Sequence, residues 1–120
     1  MRFARAVFLI AGIYGLAIVT PMYFLEERIG REYPPAITHP DYFYGFIGVT
    51  LACQLFFLVL GSDPVRFRPM MLPAIFEKVS YGIALIVLAL QHRIPAIVMG
   101  IGSVDWVLAV LFTASFFATA

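Results

Sequence analysis

Charge is scarce in this sequence: Asp, Glu, Lys and Arg make up 12% of its 120 residues, where soluble domains carry about 25%. That shortage excludes a soluble fold wrapped in a charged surface. Nucleic-acid binding through a basic face is excluded as well, because eight Lys and Arg against seven Asp and Glu leave a net charge of only +1. Cysteine is rarer still. Cys53 stands alone, so the chain has neither an internal disulfide nor a CxxC metal pair. No HExxH, HxxxH or CxxCH pattern, nucleophile elbow, phosphate loop or dinucleotide fingerprint occurs, which removes the enzyme classes that short motifs reveal. Heptads, internal repeats and low-complexity tracts are also missing.

Apolar residues fill the space those absences leave. They make up 62% of the chain, and the mean hydropathy of +0.96 holds along nearly the whole length, which excludes disorder and defines an integral membrane protein. A hydrocarbon core about 30 Å thick needs about 20 mainly apolar residues per spanning helix. Four runs qualify: Ala6 to Leu25, Phe43 to Gly61, Met70 to Gln91 and Ala96 to Ala118. They lack the alternation of barrel strands, and backbone groups in lipid must be satisfied within each segment. The expectation is therefore an all-α, four-helix transmembrane bundle forming one domain over residues 1–120.

The connections hold the charges and the turn formers. Glu26, Glu27, Arg28, Arg31 and Glu32 follow the first run, then Tyr33-Pro34-Pro35 and His39-Pro40-Asp41, and this loop alone is long enough to hold structure. Gly61-Ser62-Asp63-Pro64 closes the second run, and His92-Arg93-Ile94-Pro95 makes a tight hairpin between the third and fourth. Links this short imply antiparallel neighbours. Arg2 and Arg5 before an apolar stretch look like the start of a signal peptide. No small-x-small cleavage site follows, however, and the run continues to Leu25, so an uncleaved helix is expected. Arg2, Arg5, Arg66 and Arg68 share one side of the membrane, and Arg28, Arg31 and Arg93 the other; the bias favours cytoplasmic termini.

Ionisable groups inside a span cost about 2.5 to 3.5 kcal/mol each at a helix centre and usually face a bundle interior or a wet cavity. Glu77, Lys78 and Asp105 are such groups. At 1.5 Å per residue Glu77 lies about 10 Å inside the third run, and Asp105 about 14 Å from the opposite face, so their levels differ by about 6 Å. The Lys78 arm covers that difference, which makes a Lys78 to Asp105 ion pair with Glu77 beside it geometrically reasonable. A plainer reading has Lys78 snorkel to the interface. Asp105 is too short to do so and needs a partner, a water or a proton. Glu77 shares a helical face with Ala74, Ser80, Tyr81, Ala84, Leu88 and Gln91, a small and polar stripe expected to point inward. Gln54, four residues after Thr50, gives the second run one polar contact, and Gly102 offers the fourth a close approach. Glu77, Lys78, Asp105, Tyr81 and Gln54 are therefore the candidate ligand-binding residues.

Other features have structural readings. Ala11, Gly12 and Gly15, and Gly45, Gly48 and Ala52, are spaced for close helix packing. Tyr23-Phe24 and Tyr42-Phe43-Tyr44 suit an interfacial aromatic belt. His39 and His92 lie in loops on one side, where a shared metal or haem is the functional reading, but two histidines without further ligands do not define a metal site; no metal is expected from them, and the sequence names no cofactor.

The stretch Tyr33 to Pro40, followed by Tyr44-Gly45-Phe46, Gln54, Asp63 to Pro69 and Glu77-Lys78, resembles small uncharacterised bacterial four-helix membrane proteins over most of the chain. That resemblance implies bacterial origin and an inner-membrane location, and it brings no activity with it. In size and helix count the chain is also similar to DoxX-type proteins and, more remotely, to EXPERA proteins, which hold acidic residues in a membrane cavity. This is likeness of fold alone, and no EXPERA motif aligns. The leading functional expectation is a non-enzymatic accessory subunit, or a binder of a lipid or hydrophobic amine between the helices. Its partners would be the bilayer with a lipid-like ligand or a larger membrane complex. The alternative is an intramembrane enzyme of isomerase or redox type in which Glu77 and Asp105 shuttle a proton beside a lipid-like substrate. A proton-coupled transporter fits less well, since four helices without inverted repeats are too few for a monomer.

Overall fold

The computed structural model describes residues 2–120, and among them every regular element is helical. Helix α1 covers Arg2–Val19 and runs on as a 3-10 turn over Thr20–Phe24, where Pro21, lacking an N–H, breaks the α-helical ladder. The short α2, Glu26–Glu32, occupies the long loop. Helix α3 covers Pro40–Ser62, α4 covers Met71–Leu90 behind a 3-10 turn at Arg68–Met70, and α5 covers Ala96–Ala118. Pro40 heads α3, where its fixed φ suits a first turn, and this places the helix start three residues before the apolar run begins. His92, at φ 56°, turns the chain out of α4 in the left-handed region that glycine usually fills.

Four segments of 23 residues each, Arg2–Phe24, Pro40–Ser62, Arg68–Leu90 and Ala96–Ala118, are long and apolar enough to cross a membrane. Each reaches about 34 Å at 1.5 Å per residue, enough for the hydrocarbon core. Most of their surface faces outward and is apolar, with Ile10, Val49, Phe76 and Val110 among the exposed side chains. In water so much contiguous apolar surface would drive association; in lipid it is the natural exterior.

The four helices form two tight pairs. Along α1 and α3 the contacts descend in register: the Arg5 guanidinium donates to the Ser62 carbonyl at 3.3 Å, Leu9 meets Gly61, Gly12 meets Leu58, Gly15 meets Gln54, and the Tyr23 ring stacks on Tyr44. Along α4 and α5 the same order appears, from Met71 beside Thr119, through Lys78 with Asp105, to Leu85 against Gly102. The pairs join where Phe8 stacks on Phe112 at 4.4 Å between ring centres, with Phe57 edge-on to Phe112 at 5.1 Å. Ala4, Val7, Leu60, Met71 and Ala74 complete that core. It lies toward the end of the bundle that holds Arg5, Ser62 and Thr119.

Two sequence expectations change here. The short link between α3 and α4 does not make them close neighbours; α1 packs on α5 instead. The link itself explains this: Pro64 is buried, and Arg68 reaches across to α5, donating from Nε to the Phe116 carbonyl at 2.8 Å with its guanidinium 3.8 Å from the Phe116 ring centre. Of the small-residue faces, Gly12 and Gly15 pack closely. Gly45 has no heavy atom within 4 Å of where a Cβ would stand, Gly48 is in ordinary contact with the Tyr23 hydroxyl, and Ala52 is exposed. Apart from that Tyr23 contact, this face of α3 packs on no other helix among the described residues.

Candidate functional site

Lys78 is the centre of the candidate site. The buried stripe of α4 is Met71, Ala74, Lys78, Gly82 and Leu85, spaced by three and four residues, so this lysine points into the bundle and is 6% exposed. It does not snorkel. The inward stripe is also not the Glu77 face expected from the sequence: Ser80, Tyr81 and Ala84 are exposed, and of that set Ala74 alone is buried. Close packing decides the rotation of α4. A Cβ on Gly82 would stand 2.5 Å from Trp106 Cε2, and Leu85 fills the notch at Gly102, so these contacts fix which side of α4 meets α5.

Lys78 Nζ donates to Asp105 Oδ1 at 3.4 Å and lies 3.3 Å from Glu77 Oε2, off the alignment of a hydrogen bond. The Phe57 ring of α3 lies beneath the ammonium, its centre 5.3 Å away, so the positive charge also rests on an aromatic face. Glu77 stands nine residues inside Arg68–Leu90 and Asp105 nine inside Ala96–Ala118, each about 14 Å from opposite faces of the bundle. The remaining difference in level is what the lysine arm bridges. Two carboxylates and one ammonium thus share a place inside the spans, which is the condition for holding charge in a medium of low dielectric.

The other candidates take different positions. Tyr81 borders the site from the exposed side of α4, one turn beyond Glu77. Gln54 is 2% exposed but makes its contacts in the α1/α3 interface, where its Nε2 donates to the Thr50 carbonyl at 3.0 Å and its side chain fills the notch at Gly15. Its Oε1 is buried without a hydrogen-bond partner. Phe57, on the face of α3 one turn after Gln54, and Trp106, next to Asp105, are site neighbours that the sequence reading did not single out. Helical spacing from Gln54 was the available signal for the first; the second required knowing that Gly82 faces α5.

Two depressions lie elsewhere. One of about 430 Å³ sits between α2 and the chain that folds back over it, lined by Glu26, Glu27, Gly30, Arg31, Ala36 and Ile37. The other, about 460 Å³, is a shallow apolar groove on the outer side of α5 between Trp106 and Phe117. Among the described residues no group of three or more His, Cys, Asp or Glu is placed to hold a metal ion; His39 stacks on Tyr42 instead. No family model, curated protein or solved structure matches the chain.

Proposed function

We propose that this is a small, non-enzymatic membrane protein that binds the polar end of a lipid-like or hydrophobic small molecule at Glu77, Lys78 and Asp105. The observation that carries this reading is Lys78, buried deep within a span between two carboxylates from different helices. A pairing meant only to hold two helices needs one acid. The second acid leaves charge for another molecule to answer. The enzyme alternative asks Glu77 and Asp105 to pass a proton across one apolar cavity; Lys78 Nζ stands between them, a placement that favours holding charge over moving it. Native mass spectrometry of the full chain, released from mild detergent, tests the proposal. A retained adduct of small-molecule mass, lost in Asp105→Asn, supports it. A tightly retained second protein chain with no such adduct favours the subunit role and overturns it.

The same proposal places the chain in the bacterial inner membrane with both termini in the cytoplasm, on the excess of arginine at the end that holds Arg2, Arg5, Arg66 and Arg68. In a Cys53→Ser background, a cysteine introduced at Pro35 should label from outside and one at Phe67 should not. The reverse pattern refutes the orientation.

A further inference from the structure

We infer that the molecule answered by this site is a cation: a protonated primary amine on an apolar body, reaching the triad from the lipid along α4 and α5. The inference rests on the binding reading above and names its chemical class.

Charge count is the first argument. With all three groups ionised, Glu77, Lys78 and Asp105 sum to one negative charge, and within a membrane span such an excess calls for a counter-charge. Burial is the second argument, and it sets the sign a ligand meets. The side chains are 7% exposed for Lys78, 20% for Asp105 and 30% for Glu77, so the positive group lies behind and the two carboxylates form the outer edge. An anion approaching from outside meets acid before it meets ammonium. The third argument is hydrogen bonding. Glu77 Oε2 is buried 3.3 Å from the Lys78 ammonium without an aligned hydrogen bond, so Lys78 leaves the partly exposed Glu77 carboxylate with acceptor capacity that an N–H donor could use. A primary ammonium brings three such donors, whereas a quaternary ammonium brings none. The fourth is the setting: exposed Phe76 on α4 and Ile101 on α5 flank the acids in sequence with apolar surface, and Tyr81 adds an aromatic ring on the Glu77 side.

Trp106, the chain's single tryptophan and the neighbour of Asp105, supplies the readout. The full chain is placed in phosphatidylcholine nanodiscs and titrated with 11-bromoundecylamine, 11-bromoundecanoate and 11-bromoundecanol, whose bromine quenches indole fluorescence on contact. The amine should saturate quenching at a membrane mole fraction lower than the alcohol by about tenfold or more, the scale of one hydrogen bond to a charged group. Glu77→Gln and Asp105→Asn should each remove most of that preference. Should Asp105→Asn fail to fold, as judged by gel filtration, Glu77→Gln decides alone, since Glu77 is the more exposed acid. A preference for the carboxylate, lost in Glu77→Gln or Asp105→Asn, would leave the binding reading standing and overturn the cation. An amine preference that survives substitution of the acids would also overturn it. If neither charged probe exceeds the alcohol, both the inference and the binding reading fall.

Discussion

The two helix pairs close by the same device and bury different things. In α1/α3, Gly12, Gly15 and Gly61 receive Leu58, Gln54 and Leu9; in α4/α5, Gly82 and Gly102 receive Trp106 and Leu85. Lipid offers no hydrophobic drive for helices to associate, so close approach and polar contacts must hold each pair. The first pair keeps its buried polar group at home, with Gln54 bonded to Thr50 on its own helix. The second sends charge across the interface, from Lys78 to Asp105. Shape, with the exposed Arg5 to Ser62 hydrogen bond at one end, therefore accounts for α1/α3, while shape and a buried ion pair together account for α4/α5. Each pair also keeps one buried oxygen without a hydrogen bond, Gln54 Oε1 in the first and Glu77 Oε2 in the second, but only the second carries charge.

Removing the cation should separate the pairs most clearly. Lys78→Met leaves two acids facing each other without their counter-ion, and the expected loss is about 3 to 5 kcal/mol, the scale for breaking a buried ion pair from one side. Two probes sit on different helices: Trp106 emission for the α4/α5 seam, and thiol-dye labelling of Cys53, half-buried on α3 against the core that both pairs share. In a denaturant titration, Trp106 should shift toward exposed emission before Cys53 becomes reactive. Coincident transitions would mean that the pairs are one cooperative unit and would break the comparison.

Asp105→Asn should cost less, because Glu77 still stands 3.3 Å from Lys78. About 1.5 to 3 kcal/mol is expected, the worth of one hydrogen bond to a charged group. The same two-probe titration measures it, with Trp106 again moving first. Stability equal to wild type would show that Asp105 is already neutral in the native chain and would remove the ion pair from the account.

Much of this was legible because depth along a helix is simple arithmetic. The apolar runs located all four long helices, missing their ends where polar first turns such as Pro40-Asp41-Tyr42 are helical without being apolar. The Lys78 to Asp105 contact followed from two depths and the length of a lysine arm. Rotation about a helix axis was harder to read. The stripe of Glu77, Ser80, Tyr81 and Ala84 looked inward because lipid should repel it, yet α4 turns so that Gly82 can seat Trp106, a requirement written in another helix. Glycine spacing has the same blind spot: Gly12 and Gly45 look alike until the partner surface is known.

Gly12 and Gly45 can be separated by adding one methyl group. At Gly12 a Cβ would stand 2.9 Å from the Gln54 carbonyl oxygen, a backbone atom that cannot rotate away, as well as 2.8 Å from Leu58 Cδ2. Gly12→Ala must therefore push α1 and α3 apart, with an expected loss of about 1 to 3 kcal/mol. Cys53 should become reactive earlier in denaturant while the Trp106 transition holds. A Trp106 shift of equal size would show that the loss spreads through the whole bundle.

Gly45→Ala is the smallest expected effect. No heavy atom lies within 4 Å of the added methyl, so there is nothing in the chain for it to strike. What remains is backbone entropy: alanine restricts the unfolded chain and suits a helix interior better than glycine, a gain of up to about 1 kcal/mol. The denaturant midpoint should stay level or rise slightly, with both probes moving together or not at all. A clear loss at this position would have to come from something outside the single chain, since α3 turns Gly45, Val49 and Ala52 away from its own bundle. Repeating the titration over a range of protein-to-lipid ratios would then identify it: a loss that grows with protein density points to a second copy seated on that face, and a constant loss to the surrounding lipid.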